Sequence, residues 1–247
     1  MDPLHQFQIN PYVQLVIAGY DVSFSNSALF MVIAVALIYG VMKHGMASRA
    51  LVPGRLQSLA EMFYEFVANM VRDNAGHDAK PYFPFVFSIF MFVLFGNMLG
   101  MIPYTFTFTS HIIVTFTLAA TVFVFVTVLA LMKHGMHFFS FFMPHGAPIA
   151  LAPILIPIEV ISYLMRPVSL SIRLFANMMA GHTMLKVFAG FTVLMIGGLG
   201  SIGFLAGLVP VAINIALTGF EFLVAFLQAY VFTILTCLYI RDALELH

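Results

Sequence analysis

Charged residues are scarce in this chain, and their scarcity decides its broad class. Only 8% of the 247 residues are Asp, Glu, Lys or Arg, against 62% hydrophobic residues, and the mean hydropathy is +1.03. Soluble domains are about 25% charged, so this composition excludes a soluble enzyme and indicates an integral membrane protein. Acidic and basic residues balance at ten each, which leaves no basic surface of the kind that binds nucleic acid.

Cysteine and tryptophan are also nearly absent. Cys237 is the only cysteine, which excludes an internal disulfide and a cysteine-based metal cluster. We expect it to be a small packing residue. The first ten residues, MDPLHQFQIN, lack the basic start and short apolar core of a signal peptide, so we expect them on the mature protein.

Long apolar runs dominate the remainder and predict an all-α membrane protein. We expect one membrane domain over residues 1–247, with about five transmembrane helices and one interfacial helix. The first span, 27–42, ends in a basic cluster, which by the positive-inside rule faces the cytoplasm and leaves the N-terminus outside. The members of this cluster are Lys43, His44, Arg49 and Arg55.

The segment 56–74 differs from the spans because charged residues interrupt it. Glu61 and Glu65 are four residues apart, and Arg72 follows on the same apolar background. This pattern favours an amphipathic helix at the membrane surface over a span.

Two further spans, 81–101 and 112–132, are joined by a short loop. The loop Tyr104–Ser110 has no Lys or Arg, as expected of an outside loop, whereas Lys133 and His134 close the third span on the inside.

The last two apolar segments, 150–190 and 208–243, are too long to cross a membrane upright. A helix of about 40 residues is about 60 Å long, twice the hydrocarbon core of about 30 Å. Prolines at four positions favour bends, namely Pro153, Pro157, Pro167 and Pro210. We predict two long, tilted helices that form a hairpin, with an outside turn at Gly197–Gly207 and a cytoplasmic C-terminus after Arg241.

Arg173, inside the first of these long helices, is the residue that we expect to matter most. Arginine keeps its charge in proteins and costs at least about 2.5–3.5 kcal/mol at membrane depth, so a partner acid, a water-filled cavity or a function must compensate. Ser169 and Asn177 lie four residues to either side and Glu159 lies 14 residues before it, so these side chains fall on or near one helix face. The alternative is an arginine that snorkels to the lipid headgroups, which stays open for Arg166 and is disfavoured for Arg173 because apolar sequence continues on both sides of it.

The other polar groups inside the spans suit proton transfer. His182 follows Arg173 by nine residues, half a turn around the helix, so we expect it to face the final helix, where Glu221 could pair with it. A histidine loads and releases a proton near neutral pH, and intramembrane His and Glu mark proton relays. A buried pair that only fixes helix packing is the alternative. For Asn97, a hydrogen bond between helices and a place in a channel wall are both open.

These polar groups have neither nucleophile–base spacing nor a metal-binding pattern, so we expect no cofactor. The candidate proton-translocation residues are Asn97, Glu159, Ser169, Arg173, Asn177, His182, Glu221 and Gln228.

Three stretches resemble one family. The run RPVSLSIRLFANMMAGH, residues 166–182, resembles the signature of subunit a of F-type ATP synthases, the stator subunit that passes protons to the rotating c ring. The stretches NMLGMIPYTFTFTSH (97–111) and FEFLVAFLQAYVFTILTCLY (220–239) resemble other parts of that family, so the resemblance covers most of the chain.

The resemblance implies a role for the arginine and for two nearby amides. Arg173 matches the stator arginine that faces a carboxylate of the ring and separates two offset aqueous half-channels. Asn177 and Gln228 match polar positions close to it.

The resemblance also implies roles along the two half-channels. His182 and Glu221 match the pair of the outer half-channel, in the order of the mitochondrial members, and Glu159 and Ser169 match the inner half-channel. Gly100 departs from the pattern, because some bacterial relatives have an acid there.

As a whole, the resemblance implies a non-catalytic subunit of a rotary ATP synthase. The implied partners are the c-subunit ring, the peripheral-stalk b subunits and the rest of the complex, in a bacterial inner membrane rather than a mitochondrial one. A stand-alone secondary ion transporter or channel is the alternative, although no inverted repeat is visible between the halves of the sequence. A haem-bearing electron carrier would need paired intramembrane histidines, and His182 is nearly alone.

Overall fold

The computed structural model describes residues 7–14, 16–17, 20–21, 23–47, 52–102, 105–142, 151–198 and 200–245. Arg49 of the predicted basic cluster, Tyr104 of the predicted loop and residue 150 lie outside these ranges. Most of the described residues belong to six α-helices. They are α1 (Asn26–Gly45), α2 (Arg55–Ala75), α3 (Phe83–Gly100), α4 (Ile112–His134), α5 (Ala152–Gly198) and α6 (Gly200–Leu244).

Within the described part of the chain, five helices are long and apolar enough to cross a membrane, and the exception is α2. The predicted all-α polytopic fold is therefore confirmed. The buried residues of α2 recur mainly at steps of three and four, while Glu61, Glu65 and Arg72 are exposed, which makes α2 amphipathic. The buried residues are Gln57, Ala60, Val67, Met70, Val71 and Ala75.

Short elements surround the helices. Among the described residues, two antiparallel strand pairs precede α1. They were not predicted from the sequence, because strands of two or three residues leave no readable alternation. They are β1 (Pro11–Val13) with β4 (Phe24–Ser25), and β2 (Val16–Ile17) with β3 (Tyr20–Asp21). The 3₁₀ helices are His77–Tyr82, Phe108–Ser110 and Gly135–Phe142.

The chain forms two compact units, and each is assembled from segments that are distant in sequence. The first unit is Met1–Ile38, Phe92–His111 and Leu174–Ala229. The second unit is Tyr39–Met91, Ile112–Arg173 and Tyr230–His247. That residues 1–247 form a single membrane domain stays a prediction.

Each unit has an apolar core of interhelical contacts. In the first unit, Leu174, Met178, Ala225 and Ala229 are fully buried. In the second unit the buried side chains include Val86, Phe90, Val122, Leu170, Phe232 and Cys237. Cys237 is a buried, free thiol, as expected of a packing residue.

The junction of the two long helices differs from the predicted turn at Gly197–Gly207. Helix α5 ends at Gly198 and α6 begins at Gly200, so most of this stretch is helical. A Cβ atom at Gly207 would lie 2.7 Å from Cγ1 of Ile196. The glycine therefore permits close approach of the two helices, which is a second use of glycine in membrane proteins besides loops.

Candidate functional site

Arg173 lies near the middle of α5 and has an exposed side chain. It is 21 residues from the first residue of the helix and 25 from the last, counted from the bounds Ala152 and Gly198. None of the ion pairs among the described residues includes its guanidinium. The helix therefore carries a permanent positive charge near its midpoint, and no acid from the described part of the chain pairs with this charge.

Two other predicted residues of the second unit, Glu159 and Ser169, also lie on α5. Ser169 is exposed and Glu159 is partly exposed. At 3.6 residues per turn, Ser169 is about 1.1 turns and Glu159 about 3.9 turns before Arg173, so both are close to its face of the helix. The three side chains consequently form a polar line along one face of this mostly apolar helix.

Arg166 has different surroundings from Arg173. Its Nη1 donates a hydrogen bond to Oδ2 of Asp242 at 3.0 Å, and its guanidinium lies over the rings of Tyr163 and Tyr239, 5.3 and 5.1 Å from their centroids. The alternative left open for Arg166 was an arginine that snorkels to the lipid headgroups. The structure instead gives it an acidic partner within the protein.

His182 and Glu221 meet in the first unit, as expected from the spacing of His182 on its helix. Nδ1 of His182 is 3.5 Å from Oε1 of Glu221, and the two side chains are only 9% and 5% exposed. On the other side of the ring, Nε2 is 3.1 Å from Oγ1 of Thr107. The imidazole thus has an acid near one nitrogen and a hydroxyl at the other, which lets it take up a proton on one side and release one on the other.

Gly181 makes room for the carboxyl group of this pair. A Cβ atom at residue 181 would lie 2.5 Å from Oε1 and 2.8 Å from Cδ of Glu221, closer than a methyl group allows. Both carboxyl oxygens are buried and accept no hydrogen bond from any residue that the structure describes. A buried acid without protein donors is suited to exchange its proton with a neighbour.

The amides of the first unit bridge helices. Nδ2 of Asn177 donates to Oε1 of Gln228 at 2.8 Å, which ties an exposed residue of α5 to a buried residue of α6. Asn97 is fully buried in α3, and its Nδ2 donates to the backbone oxygen of Ala225 at 3.2 Å. The structure thus has the interhelical bond that was one alternative for Asn97, while its place in a channel wall stays a prediction.

A cavity of about 730 Å³ in the first unit extends to His182. Liquid water takes about 30 Å³ per molecule, so the cavity has room for roughly 20 waters. Many of its lining groups are polar, including Gln8, Asn10, Asn26, Thr105, Lys186 and Asn214.

Gly100, the position at which the sequence departs from the pattern that it resembles, also lines this cavity. A Cβ atom there would lie 2.5 Å from Oγ1 of Thr107, the residue whose hydroxyl faces His182. Glycine therefore allows Thr107 to occupy the space that a larger residue at position 100 would take.

Thr107, Asp242 and the N-terminal residues of the cavity were not predicted from the sequence. Thr107 lies in a stretch that resembles the family, but nothing in its spacing relates it to His182, which is 75 residues away. Asp242 follows the last apolar run and is 76 residues from Arg166, so no helical period connects the two. Among the described residues, no group of three or more His, Cys, Asp or Glu side chains could hold a metal ion.

The chain is similar to known proteins over nearly its whole length. The family model for the ATP synthase A chain matches residues 28–241. ATP synthase subunit a of Parvibaculum lavamentivorans is 57% identical over 99% of this chain and 94% of its own length. The subunit a proteins of Rhodospirillum rubrum and Granulibacter bethesdensis are each 55% identical, over 99% and 100% of this chain and 99% and 98% of their own lengths. The chain therefore belongs to the ATP synthase A chain family.

Proposed function

We propose that this chain is the proton-translocating stator subunit of a bacterial rotary ATP synthase, with two offset aqueous half-channels that load and unload carboxylates of an adjacent c ring. Its family has the coarser function, which is proton translocation in the membrane sector of the ATP synthase complex without catalysis by the subunit itself. The half-channels, the ring and the residue roles are the finer parts of the proposal.

The exposed guanidinium of Arg173 is the observation that carries the proposal. A permanent cation halfway along an apolar helix requires a negative partner or water, and no described residue supplies a carboxylate. A carboxylate presented by a neighbouring subunit meets this need. A positive charge within about 4–6 Å favours the ionised form of such an acid, so Arg173 would draw the proton from each ring carboxyl that arrives.

The outer half-channel is supported by the cavity that reaches His182. Protons would enter through its water, pass the contact of His182 with Glu221, and neutralise a ring carboxylate near Gln228. The bond from Asn177 to Gln228 would hold both amides beside the place where the ring passes.

The inner half-channel would begin on the other side of Arg173 along α5. Ser169 and Glu159 are accessible there and provide a hydroxyl and a carboxylate that accept the released proton. The charge of Arg173 repels a proton that moves directly between the channels, so transport has to go through the ring. The membrane potential supplies about 2.3 kcal/mol per charge per 100 mV, in addition to the pH difference.

The proposed setting is a bacterial inner membrane. Basic residues at the end of α1 (Lys43 and His44) and at the end of α4 (Lys133 and His134) support a cytoplasmic location of these ends. This orientation puts the N-terminus outside and the C-terminus in the cytoplasm. The proposed neighbours are the c ring, along the exposed polar line of α5, and the peripheral-stalk b subunits.

The test is Arg173→Ala in the assembled complex. We expect the complex to form and its ATP-driven proton pumping to be abolished, because no permanent charge then separates the channels or ionises the ring carboxylate. The measurement is quenching of a pH-sensitive dye in vesicles that contain the complex. Arg72→Ala, which removes an exposed arginine of α2, is the control and should pump normally. Ordinary pumping by Arg173→Ala would refute the central role of this residue.

A further inference from the structure

The N-terminal segment Phe7–Val13 is held at the start of α1 by hydrogen bonds to one buried residue, Asn26. Nδ2 of Asn26 donates to the backbone oxygen of Gln8 at 3.0 Å, and the backbone N–H of Asn10 donates to Oδ1 of Asn26 at 3.3 Å. The backbone N–H of Asn26 donates in turn to the oxygen of Asn10 at 3.1 Å. Three hydrogen bonds to a residue that is 8% exposed give the segment a defined position.

This segment has one polar side and one apolar side. Gln8, Asn10 and Tyr12 line the cavity that reaches His182. Ile9 and Val13 are 49% and 52% exposed and are not part of its lining. The cavity lining itself therefore separates the polar side chains at positions 8, 10 and 12 from the apolar ones at positions 9 and 13, which gives the segment one face suited to water.

The same segment also reaches the imidazole. The ring of Phe7 meets that of His182 edge to face, with 6.5 Å between centroids. The segment therefore extends from His182 along the cavity, and its polar residues follow in sequence order.

We propose that Phe7–Val13 is a wall of the proton-entry cavity and that the side chains of Gln8, Asn10 and Tyr12 order the water that leads to His182. The inference rests on the proposed function, because it takes this cavity as the outer half-channel. Amide and phenol groups both donate and accept hydrogen bonds, so they can bridge successive waters without retaining the proton as a charged group would.

The test uses single cysteines on the two sides of the segment, in the assembled complex. Gln8→Cys, Asn10→Cys and Tyr12→Cys introduce a thiol on the cavity side, and the matched controls Ile9→Cys and Val13→Cys introduce one on the other side. Each purified complex is labelled with a charged, membrane-impermeant methanethiosulfonate and reconstituted, and ATP-driven proton pumping is compared before and after labelling. The wild-type complex gives the baseline, since Cys237 is fully buried.

We expect labelling on the cavity side to remove most of the pumping, because a charged adduct displaces the ordered water, and labelling at the controls to leave pumping near its unlabelled level. Mass spectrometry of the chain establishes that all five positions are modified. Equal loss on both sides would mean that the segment has only a structural role, and no loss on the cavity side would mean that protons do not pass it. Either result overturns the proposal.

A second measurement does not depend on pumping. Thr218→Cys places a thiol on another part of the cavity lining, and its labelling rate is measured with and without Asn26→Ala, which removes the side-chain bonds that hold the segment. We expect labelling to become several-fold faster when the wall is released. Unchanged rates would contradict the wall and leave the Arg173→Ala result standing, whereas normal pumping by Arg173→Ala would overturn the proposed function and leave the labelling result standing.

Discussion

At the scale of single residues, two arginines seven positions apart on α5 meet opposite conditions. Arg166 has a carboxylate at 3.0 Å and two aromatic rings against its guanidinium. Arg173 is exposed and has no acid among the described residues. The positive charge of Arg166 is therefore compensated by an acid of the same chain. In the proposed mechanism, the charge of Arg173 is compensated by a carboxylate of a passing subunit.

The contact of His182 with Glu221 leads to a prediction about exchanged residues. The double variant His182→Glu with Glu221→His should pump more protons than either single variant, because it keeps one acid and one imidazole in the same contact. His182→Glu alone puts two carboxyl groups together, which repel each other when ionised. The measurement is ATP-driven pumping in inverted membrane vesicles.

Thr183→Ser is a control for this exchange, since the Thr183 hydroxyl donates to the backbone oxygen of Met179 within its own helix, and serine keeps this hydroxyl. It should pump at the wild-type rate. If the double variant is no better than the worse single variant, His182 and Glu221 do not act as a couple.

Sequence spacing was informative about single residues only within one helix. Nine residues on a helix are two and a half turns, so the inward direction of His182 followed from its distance to Arg173. Thr107 could not be found in this way, because its contact with His182 depends on how α3 and α5 pack. The translocation roles of all the candidate residues stay predictions, namely those of Asn97, Glu159, Ser169, Arg173, Asn177, His182, Glu221 and Gln228.

At the scale of elements, the pair of Arg166 and Asp242 joins the C-terminal end of α6 to α5 within the second unit. Nearby, Nε2 of His134 at the end of α4 lies 3.1 Å from the backbone oxygen of Ala243. Three helix segments of the second unit are thus connected by polar contacts in one region.

Asp242→Asn should reduce the stability of this region. The side chains of Arg166 and Asp242 are 24% and 43% exposed, so we expect the free energy of unfolding to fall by about 1–2 kcal/mol. This lies between the roughly 0.2–1 kcal/mol that an exposed ion pair contributes and the roughly 3–5 kcal/mol lost when a buried pair is broken. The measurement is the temperature at which the buried thiol of Cys237 becomes reactive to a maleimide, read by mass spectrometry.

Glu245→Gln is the matched control for Asp242→Asn. It breaks the pair of Arg241 with Glu245, whose side chains are 50% and 54% exposed, and should change the temperature at which Cys237 becomes reactive only a little. If this temperature shifts equally in the two variants, the partial burial of the pair of Arg166 with Asp242 does not add to stability.

Helix type was predictable from composition, whereas helix ends were not. Apolar length identifies the membrane-crossing helices, because only a continuous helix satisfies its backbone in lipid. The stretch Gly197–Gly207 was predicted as a turn, but glycine also lets helices pack closely, and sequence alone does not distinguish the two uses.

At the scale of the whole molecule, the proposed function predicts dependence on a ring. The chain purified alone and placed in vesicles should carry no protons when a pH difference is imposed, because its channels do not connect past Arg173. The complete complex in mild detergent should retain a ring of small subunits and should transport protons after reconstitution. Dye quenching in both samples is the measurement, and proton flux through the isolated chain would favour a stand-alone transporter.

The division of the chain into two compact units was not predictable from the sequence. Each unit combines three segments that are far apart in the chain, so its boundaries follow from packing and not from a change in composition. The membrane class was predictable because it depends on averages over many residues, which local packing does not alter.

The missing side chain at Gly181 has a practical consequence for protein engineering. Even a single methyl group there would collide with the acid that faces His182. Anyone who transplants this histidine and its acid into another scaffold will have to transplant the neighbouring empty space as well.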